Sequence, residues 1–307
     1  MKRFTISGEW QGSRLDRFIR ASFPGTPFGV TQILLRKGLI FLNGVKANGS
    51  ARLKAGDVVA VNISEAEENG RSRQAAPPRA TSACEIGATV PVLYEDDSIL
   101  VIDKPAGLVV QPGNRADKGS LLDLLERYRL KHAAPASEPL FLYTPVHRLD
   151  RQTSGALIIA KTRPAARALS RAISQGDVLK TYLAVVEGIP PGKSGEISAP
   201  LATYKGKHSH SAPAATGKEA RTSYSVLKKL SGERALLEVS IRTGRTHQIR
   251  AHLASIGHPI AGDKEYGASS RSGGKLFLHA WKLQFQHPET GAVIAVTASP
   301  PPDFENR

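Results

Sequence analysis

The chain has few of the features that stabilise secreted proteins or anchor proteins in membranes. It contains one cysteine, Cys84, so no internal disulfide can form, and this composition fits a reducing compartment. Its apolar runs are too short to span a bilayer. Residues 1–20 lack the continuous apolar region of a secretory signal peptide. We therefore expect a cytoplasmic protein that binds no membrane.

The motifs of several large enzyme classes are also missing. There is no Walker-type Gly-x-x-x-x-Gly-Lys, no Gly-x-Gly-x-x-Gly and no His-Glu-x-x-His, and a single cysteine offers no thiolate pair for zinc. His208 and His210 lie in a polar segment without acidic or thiol neighbours, so we interpret them as loop residues. Ser272–Lys275 fits Ser-x-x-Lys but lacks the companion motifs. We predict that the protein uses no metal and no cofactor.

Positive charge is abundant and unevenly spread. The 307 residues carry 42 Lys and Arg against 27 Asp and Glu, a net charge of +15. Residues 1–63 hold 10 of these cations and 3 of these anions, which is about half of the excess. Because cationic proteins release counterions when they bind a polyanion, this balance indicates a nucleic-acid partner.

The most informative stretch of the chain is residues 147–155, His-Arg-Leu-Asp-Arg-Gln-Thr-Ser-Gly. Asp150 lies between Arg148 and Arg151, so nearby positive charge favours its ionised form. An ionised aspartate before the apolar run Ala156–Ala160 can act as a nucleophile, and the arginines can hold phosphate or a base plane. An isolated Arg-Leu-Asp-Arg is also typical of a surface turn with one salt bridge.

The whole stretch resembles the signature of the RluA family of RNA pseudouridine synthases, which reads His-Arg-Leu-Asp-x-x-Thr-Ser-Gly. Further segments resemble other elements of the family in the same order along the chain: Val101–Leu108 with Pro112, Lys180–Gly188, Gly217–Tyr224 and Arg242–Asp263. The resemblance covers residues 88–300.

The resemblance implies a role for five residues. It makes Asp150 the catalytic aspartate and Arg245 the arginine that pairs with it. Tyr182 stacks on the uracil and is a candidate acceptor of the C5 proton. Arg148 fills the space left by the flipped base or contacts its phosphate, and Lys180 on the Lys-x-Tyr strand contacts the substrate.

Plainer interpretations stay open for some of these residues. Tyr182 also fits a core aromatic with its hydroxyl at the surface, and Arg245 fits a residue that caps a turn. We predict that His147 and His247 are mainly structural and make hydrogen bonds that orient loops.

Residues 1–63 are predicted to form a small RNA-binding domain. Leu15, Phe18 and Ile19 recur at helical spacing, a second helix follows, and Asn43-Gly44 predicts a hairpin before the strand Val58–Ile63. The segment resembles the alpha-L RNA-binding fold of a small-subunit ribosomal protein. The cations expected to grip RNA are Arg14, Arg17, Arg36 and Lys37. A merely solvated helix surface is the alternative.

The rest of the chain is predicted to hold a flexible linker, residues 64–84, and a catalytic domain, residues 85–307. The patterns predict an α+β domain with a mainly antiparallel sheet, and the resemblance sharpens this to the pseudouridine-synthase fold, with a long curved mixed sheet. The predicted strands are Val90–Leu93, Ile99–Ile102, Ala156–Ile159, Tyr182–Val186, Thr222–Val226 and Ala235–Ile241. The predicted helices are Ser120–Leu130, Pro164–Gln175 and His247–Ile256. We expect Lys205–Gly217 to be an exposed loop.

The predicted function is the isomerisation of uridine to pseudouridine in RNA. The reaction needs a flipped base and a carboxylate near C1′, and it needs no cofactor. The predicted domain at residues 1–63 favours large-subunit ribosomal RNA as the substrate, and we expect a monomer. The alternatives are a tRNA substrate, a non-catalytic RNA-binding factor in ribosome assembly, and an aspartate-dependent hydrolase.

Overall fold

The computed structural model describes most of the chain, which forms two compact units. The described residues are 1–23, 28–62, 85–111, 119–132, 141–204, 210–269 and 275–304. The first unit combines Met1–Thr89 with Gln111–Tyr143, and the second combines Val90–Val110 with Thr144–Arg307. Residues 111–143 therefore group with the N-terminal residues, although the sequence placed them in the catalytic domain. The predicted linker 64–84 and Pro112 lie outside the described residues.

The first unit contains a four-stranded antiparallel sheet in the order β1-β4-β2-β3. Its strands are β1 (Lys2–Thr5), β2 (Ile40–Leu42), β3 (Val45–Lys46) and β4 (Val58–Val61), and its helices are α1 (Leu15–Ser22), α2 (Phe28–Arg36) and α3 (Leu121–His132). The predicted helices and hairpin are confirmed. Asn43 and Gly44 both have positive φ, +51° and +81°, which a two-residue hairpin turn requires.

The core of the first unit forms where α1 packs on this sheet. Leu15, Phe18 and Ile19 recur at i, i+3 and i+4 and are all buried. Phe18 meets the ring of Trp10 edge-on, with 5.0 Å between the centroids. Leu142 belongs to the same core, which explains why residues 111–143 group with the N-terminal residues. Each such side chain stabilises the fold by about 1.5–3 kcal/mol.

The second unit is built on a sheet of ten described strands. Its path is β10-β13-β14-β9-β15-β8-β6-β5, with β16 on β15 and β7 on β8. The strands are β5 (Val92–Glu95), β6 (Ile99–Lys104), β7 (Thr144–Pro145), β8 (Ser154–Ala160), β9 (Leu179–Glu187), β10 (Ser194–Ser198), β13 (Arg221–Leu230), β14 (Arg234–Ile241), β15 (Leu278–Gln286) and β16 (Val293–Thr297), and the helices are α4 (Arg163–Gln175) and α5 (Gln248–Ser255). Among the strands that the structure describes, only β8 and β15 pair in parallel. The predicted mixed, mainly antiparallel sheet is confirmed.

A separate two-stranded hairpin corrects one prediction. Strands β11 (Leu201–Tyr204) and β12 (His210–Pro213) pair with each other, so the expected loop Lys205–Gly217 is wrong for residues 210–213. Residues 205–209 lie outside the described residues. Ser211 is fully buried, and its N–H donates to the hydroxyl of Tyr266. The polar composition of residues 205–217 predicted a loop and gave no sign of strand β12.

Strand β8 lies inside the sheet and carries the chain away from Asp150. All seven residues of β8 are buried, as expected for a strand covered on both faces. Helix α4 follows it, and the side chain of Thr162 caps the helix by accepting a hydrogen bond from the N–H of Ala165. No helix within the described parts of the chain is long and apolar enough to cross a membrane.

Candidate active site

The signature stretch ends in a tight turn that fixes Asp150 before β8. The N–H of Thr153 donates to the carbonyl of Asp150 at 3.1 Å. Gly155 has a φ of +114°, and a Cβ at this position would lie 2.2 Å from the carbonyl oxygen of Ala280 on β15. Only glycine allows this close parallel approach of β8 and β15. The turn that carries the carboxylate is therefore held against the centre of the sheet.

The Lys104 segment supports the same turn from the other side. Lys104 is fully buried, and its ammonium donates to the carbonyls of Pro105, Leu108 and Arg151, at 2.9, 2.9 and 3.3 Å. The N–H of Gly107 also donates to the Arg151 carbonyl. Burial lowers the pKa of Lys104 to about 8. This side chain binds carbonyls and shapes the loop beside Asp150.

Asp150 lies in an open cleft that encloses about 560 Å³ including the solvent at its mouth. The cleft is lined by Arg148, Leu149, Asp150, Thr153, Tyr182, Ile241, Gly244, Arg245, Thr246, His247, Gln248, Ile249, Arg250 and Leu278. The structure thus brings together Asp150, Arg148, Tyr182 and Arg245 from separate parts of the sequence. Arg148 is exposed and precedes the turn without lying on a strand.

The arginine that contacts Asp150 is Arg250, which the sequence analysis missed. Its Nη1 lies 3.4 Å from Oδ2 of Asp150. The Nε of Arg245 donates to the carbonyl of Glu219 at 3.1 Å, so Arg245 lines the cleft without pairing with Asp150. The expected partner of Asp150, Arg245, lies in the loop before α5. The observed partner, Arg250, lies on the helix itself.

Arg250 is held by contacts on every side of its guanidinium. Asp263 accepts from Nε at 2.6 Å and from Nη2 at 2.7 Å, and Glu265 accepts from Nη2 at 2.8 Å. The ring of Tyr266 lies 4.8 Å from the guanidinium carbon. Burial opposes the charge, but the hydrogen bonds and the charges of Asp263 and Asp150 outweigh it and raise the pKa of Arg250. The cation is permanent and its position is fixed.

His247 completes the wall beside Asp150. It adopts a left-handed backbone with a φ of +52° at the start of α5, a conformation that is uncommon outside glycine and recurs at functional sites. Its Nε2 lies 3.7 Å from Oδ2 of Asp150, and its Nδ1 lies 3.1 Å from the hydroxyl of Tyr266. Burial lowers the pKa of His247 against the attraction of Asp150. A neutral ring that accepts from Tyr266 at Nδ1 directs Nε2–H at Asp150.

Tyr182 lies on β9 in the middle of the sheet, opposite Val239 and Ala280. It is 7% exposed, and it lines the cleft. Burial, and then the negative charge of Asp150, raise the pKa of the Tyr182 hydroxyl. The side chain is therefore a neutral phenol at pH 7.

Lys180 lies two residues before Tyr182, on the same face of β9. It is buried, and none of the described residues gives it a carboxylate partner within ion-pair distance. Its Nζ lies 3.8 Å from the position that a Cβ on Gly244 would take. Burial lowers the pKa of Lys180. An unpaired buried ammonium beside a cleft is suited to an anion.

Two further predictions from the sequence concern His147 and the N-terminal cations. His147 Nε2 accepts from the N–H of Ile158, and burial lowers the pKa of His147 to about 3, so the hydrogen bond expected of a structural histidine is present. Arg14 pairs with Asp16 at 2.6 Å, and Arg17 lies 4.7 Å from the ring centroid of Phe141. These contacts, and Arg36 and Lys37 at the end of α2, all belong to the first unit.

Several cleft residues were missed or misjudged from sequence. His247 was expected to be structural, whereas it faces Asp150. Asp263, Glu265 and Tyr266 were not singled out. The available signal for Arg250 was its place in the matched segment Arg242–Asp263.

Comparisons with known proteins agree with the geometry. Residues 98–255 match the family model described as RNA pseudouridylate synthase. The chain is 36% identical over 97% of its length to "Ribosomal large subunit pseudouridine synthase D" of Nitrosomonas europaea, covering 84% of that protein. It is 34% identical over 97% of its length to "Ribosomal large subunit pseudouridine synthase C" of Escherichia coli K12, covering 92%.

A solved structure shows the same fold. "Human RNA Pseudouridylate Synthase Domain Containing 1" is 26% identical and superposes with a TM-score of 0.56 over 69% of this chain and 84% of that one. The matched family region contains Asp150, Tyr182, His247 and Arg250. The chain belongs to the RNA pseudouridylate synthase family and is an RNA pseudouridine synthase.

Proposed function

We propose that this enzyme converts uridine to pseudouridine in large-subunit ribosomal RNA, with Asp150 as the catalytic carboxylate. The observation that carries the proposal is the position of Asp150 in a cleft that Tyr182 also lines, with the Arg250 guanidinium 3.4 Å from its carboxylate. The ribosomal substrate is supported by the names of the relatives from Nitrosomonas europaea and Escherichia coli.

The cleft residues divide the reaction between them. The C1′–N1 bond breaks, the uracil rotates, C1′ bonds to C5, and the C5 proton is lost while N1 gains one. Asp150 either attacks C1′ or removes a sugar proton to give a glycal, and both routes need an ionised carboxylate. Arg250 fixes the orientation of that carboxylate, and His247 directs Nε2–H at it.

Tyr182 confines the detached base. As a neutral phenol its hydroxyl is a weak base, so we assign it first the role of a stacking face for the uracil, and second the role of a relay for the C5 proton. Arg148 and Arg245 line the cleft and are assigned to the RNA backbone and to the space left by the flipped base. Lys180, which lacks a carboxylate partner among the described residues, is assigned to a phosphate.

The first unit is proposed to grip RNA outside the cleft. Arg36 and Lys37 are the exposed cations at the end of α2. Arg14 already pairs with Asp16, so it contributes less charge than the sequence suggested. We propose that the enzyme acts in the cytoplasm as a monomer without a cofactor.

The test is the release of tritium from RNA labelled at uracil C5. Wild-type enzyme is incubated in parallel with transcribed large-subunit rRNA and with tRNA. Release from rRNA alone supports the proposal, and release from tRNA alone overturns the choice of substrate. Release from neither, together with tight binding of rRNA, favours a non-catalytic role in ribosome assembly.

A further inference from the structure

An exposed pair of stacked rings projects from the β11–β12 hairpin. Tyr204 and His210 lie directly opposite each other, with 5.4 Å between ring centroids and an interplanar angle of 23°. Tyr204 is 48% exposed, and His210 is exposed as well. One ring face of each residue is used in the stack, so each has a second face for a ligand.

The two faces of the hairpin differ sharply. Ser211, the next residue on β12, points to the opposite side from His210, because side chains alternate along a strand. Ser211 is fully buried, and its hydroxyl lies 3.1 Å from that of Thr203. At the other end of the hairpin, Leu201 packs in a small core with Tyr266. One face therefore anchors the hairpin while the other presents the rings.

The anchor connects the hairpin to the cleft through short contacts. The N–H of Ser211 donates to the hydroxyl of Tyr266, which lies 3.1 Å from Nδ1 of His247. His247 in turn faces Asp150 at 3.7 Å. His210 of the ring pair is therefore the neighbour of Ser211, from which contacts lead through Tyr266 and His247 to Asp150.

Two cations lie on segments that adjoin the hairpin and the cleft. The backbone of Lys218 pairs with Leu201 at the base of the hairpin, and its side chain is exposed. Arg245, on the rim of the cleft, donates to the carbonyl of the neighbouring Glu219. Positive charge is therefore present both at the cleft, on Arg245, and at the base of the hairpin, on Lys218.

We propose that Tyr204 and His210 form a platform on which a nucleobase of the substrate RNA stacks, a few nucleotides from the target uridine. Aromatic stacking suits any base, because every base has a π face. The platform would hold the strand in register after the target base has been flipped, since the hairpin is anchored to the wall of the cleft. This inference rests on the proposed function.

Two substitutions separate stacking from hairpin stability. Tyr204→Phe keeps the ring, whereas Tyr204→Leu keeps apolar bulk and removes the π face. Tritium release from labelled large-subunit rRNA gives kcat and KM for both variants, and thermal unfolding reports their stability. We expect Tyr204→Leu to raise KM by about tenfold with kcat unchanged, which is the loss of one stacked base. We expect Tyr204→Phe to match the wild type.

A double-mutant cycle that combines Tyr204→Leu with abasic RNA identifies the nucleotide that stacks on the platform. After the modified uridine is mapped, short RNAs carry single abasic nucleotides on either side of it. One abasic position should weaken binding to the wild type about tenfold and binding to Tyr204→Leu hardly at all. Equal losses at every position for both proteins, or a KM for Tyr204→Leu within twofold of the wild type, would overturn the platform. Absence of tritium release by the wild type would instead overturn the proposed function.

Discussion

Replacing Asp263 tests how the guanidinium of Arg250 is held. Asp263 accepts the two shortest hydrogen bonds of Arg250, at 2.6 and 2.7 Å, whereas Asp150 is 3.4 Å away. The Asp263 side chain is 1% exposed, so water does not replace what is lost. In Asp263→Asn an amide replaces one acceptor oxygen and removes the charge. One charge-assisted bond is worth about 1.5–3 kcal/mol.

That loss frees Arg250 to move away from Asp150. If all of this free energy is lost in the transition state, kcat falls by about 10- to 150-fold, since 1.36 kcal/mol corresponds to a factor of ten. RNA affinity should hardly change, because Asp263 is buried beneath the cleft wall. Single-turnover tritium release measures the rate, and filter binding measures affinity.

Glu265→Gln is the matched control. Glu265 also accepts from Nη2, at 2.8 Å, but its side chain is 34% exposed, so the ion pair is worth at most about 1 kcal/mol. The rate should fall only a few-fold. A normal rate for Asp263→Asn, or equal losses for both variants, would refute the view that the buried bidentate pair positions Arg250.

Three further changes have definite expected outcomes. Lys180→Met removes an unpaired buried ammonium, so the midpoint of thermal unfolding should rise while KM for RNA also rises, and an unchanged KM would contradict its assignment to phosphate. Arg36→Ala with Lys37→Ala should lower the slope of log Kobs against log salt by about 1 to 2, whereas an unchanged slope would argue against an RNA grip on α2. Below pH 6.5 the unfolded chain binds a proton at His147 that the folded chain, with a pKa of about 3, rejects. As the pH falls from 6.5 towards 3, the free energy of unfolding should therefore decrease by up to about 1.4 kcal/mol per pH unit. In urea titrations His147→Gln should reduce this dependence on pH.

Local patterns predicted much of the fold. The helix with Leu15, Phe18 and Ile19 was clear because a helix buries one stripe, and β8 was clear because its apolar run is uninterrupted. Strand β12 was missed because burial of Ser211 depends on a partner 55 residues away, Tyr266. No local pattern reports such a contact.

The grouping of residues 111–143 with the N-terminal unit also depends on distant contacts. Leu142 joins a core whose other buried members lie between Ile6 and Val61. Deletion of residues 1–63 would remove the residues that Leu142 packs against. Point substitutions on α2 are therefore the better test of RNA binding than truncation.

The sequence identified most of the cleft residues, but it did not identify the arginine that pairs with Asp150. Asp150 and Tyr182 could be named because the signature and the Lys-x-Tyr strand stand out in the sequence, and both line one cleft. The exchange of Arg245 for Arg250 shows the limit of such patterns. Both arginines lie in one short motif, and only the start of α5 at Gln248 decides which one reaches the carboxylate.

The most direct test of the central claim compares the wild type with Asp150→Asn. The substitution keeps the shape of the side chain and leaves the surrounding cations in place. Tritium release from C5-labelled large-subunit rRNA and Kd for the same RNA are measured side by side. We predict release by the wild type, none by Asp150→Asn, and Kd values within a few-fold. Turnover by Asp150→Asn at a rate near that of the wild type would contradict the assignment of Asp150 as the catalytic carboxylate.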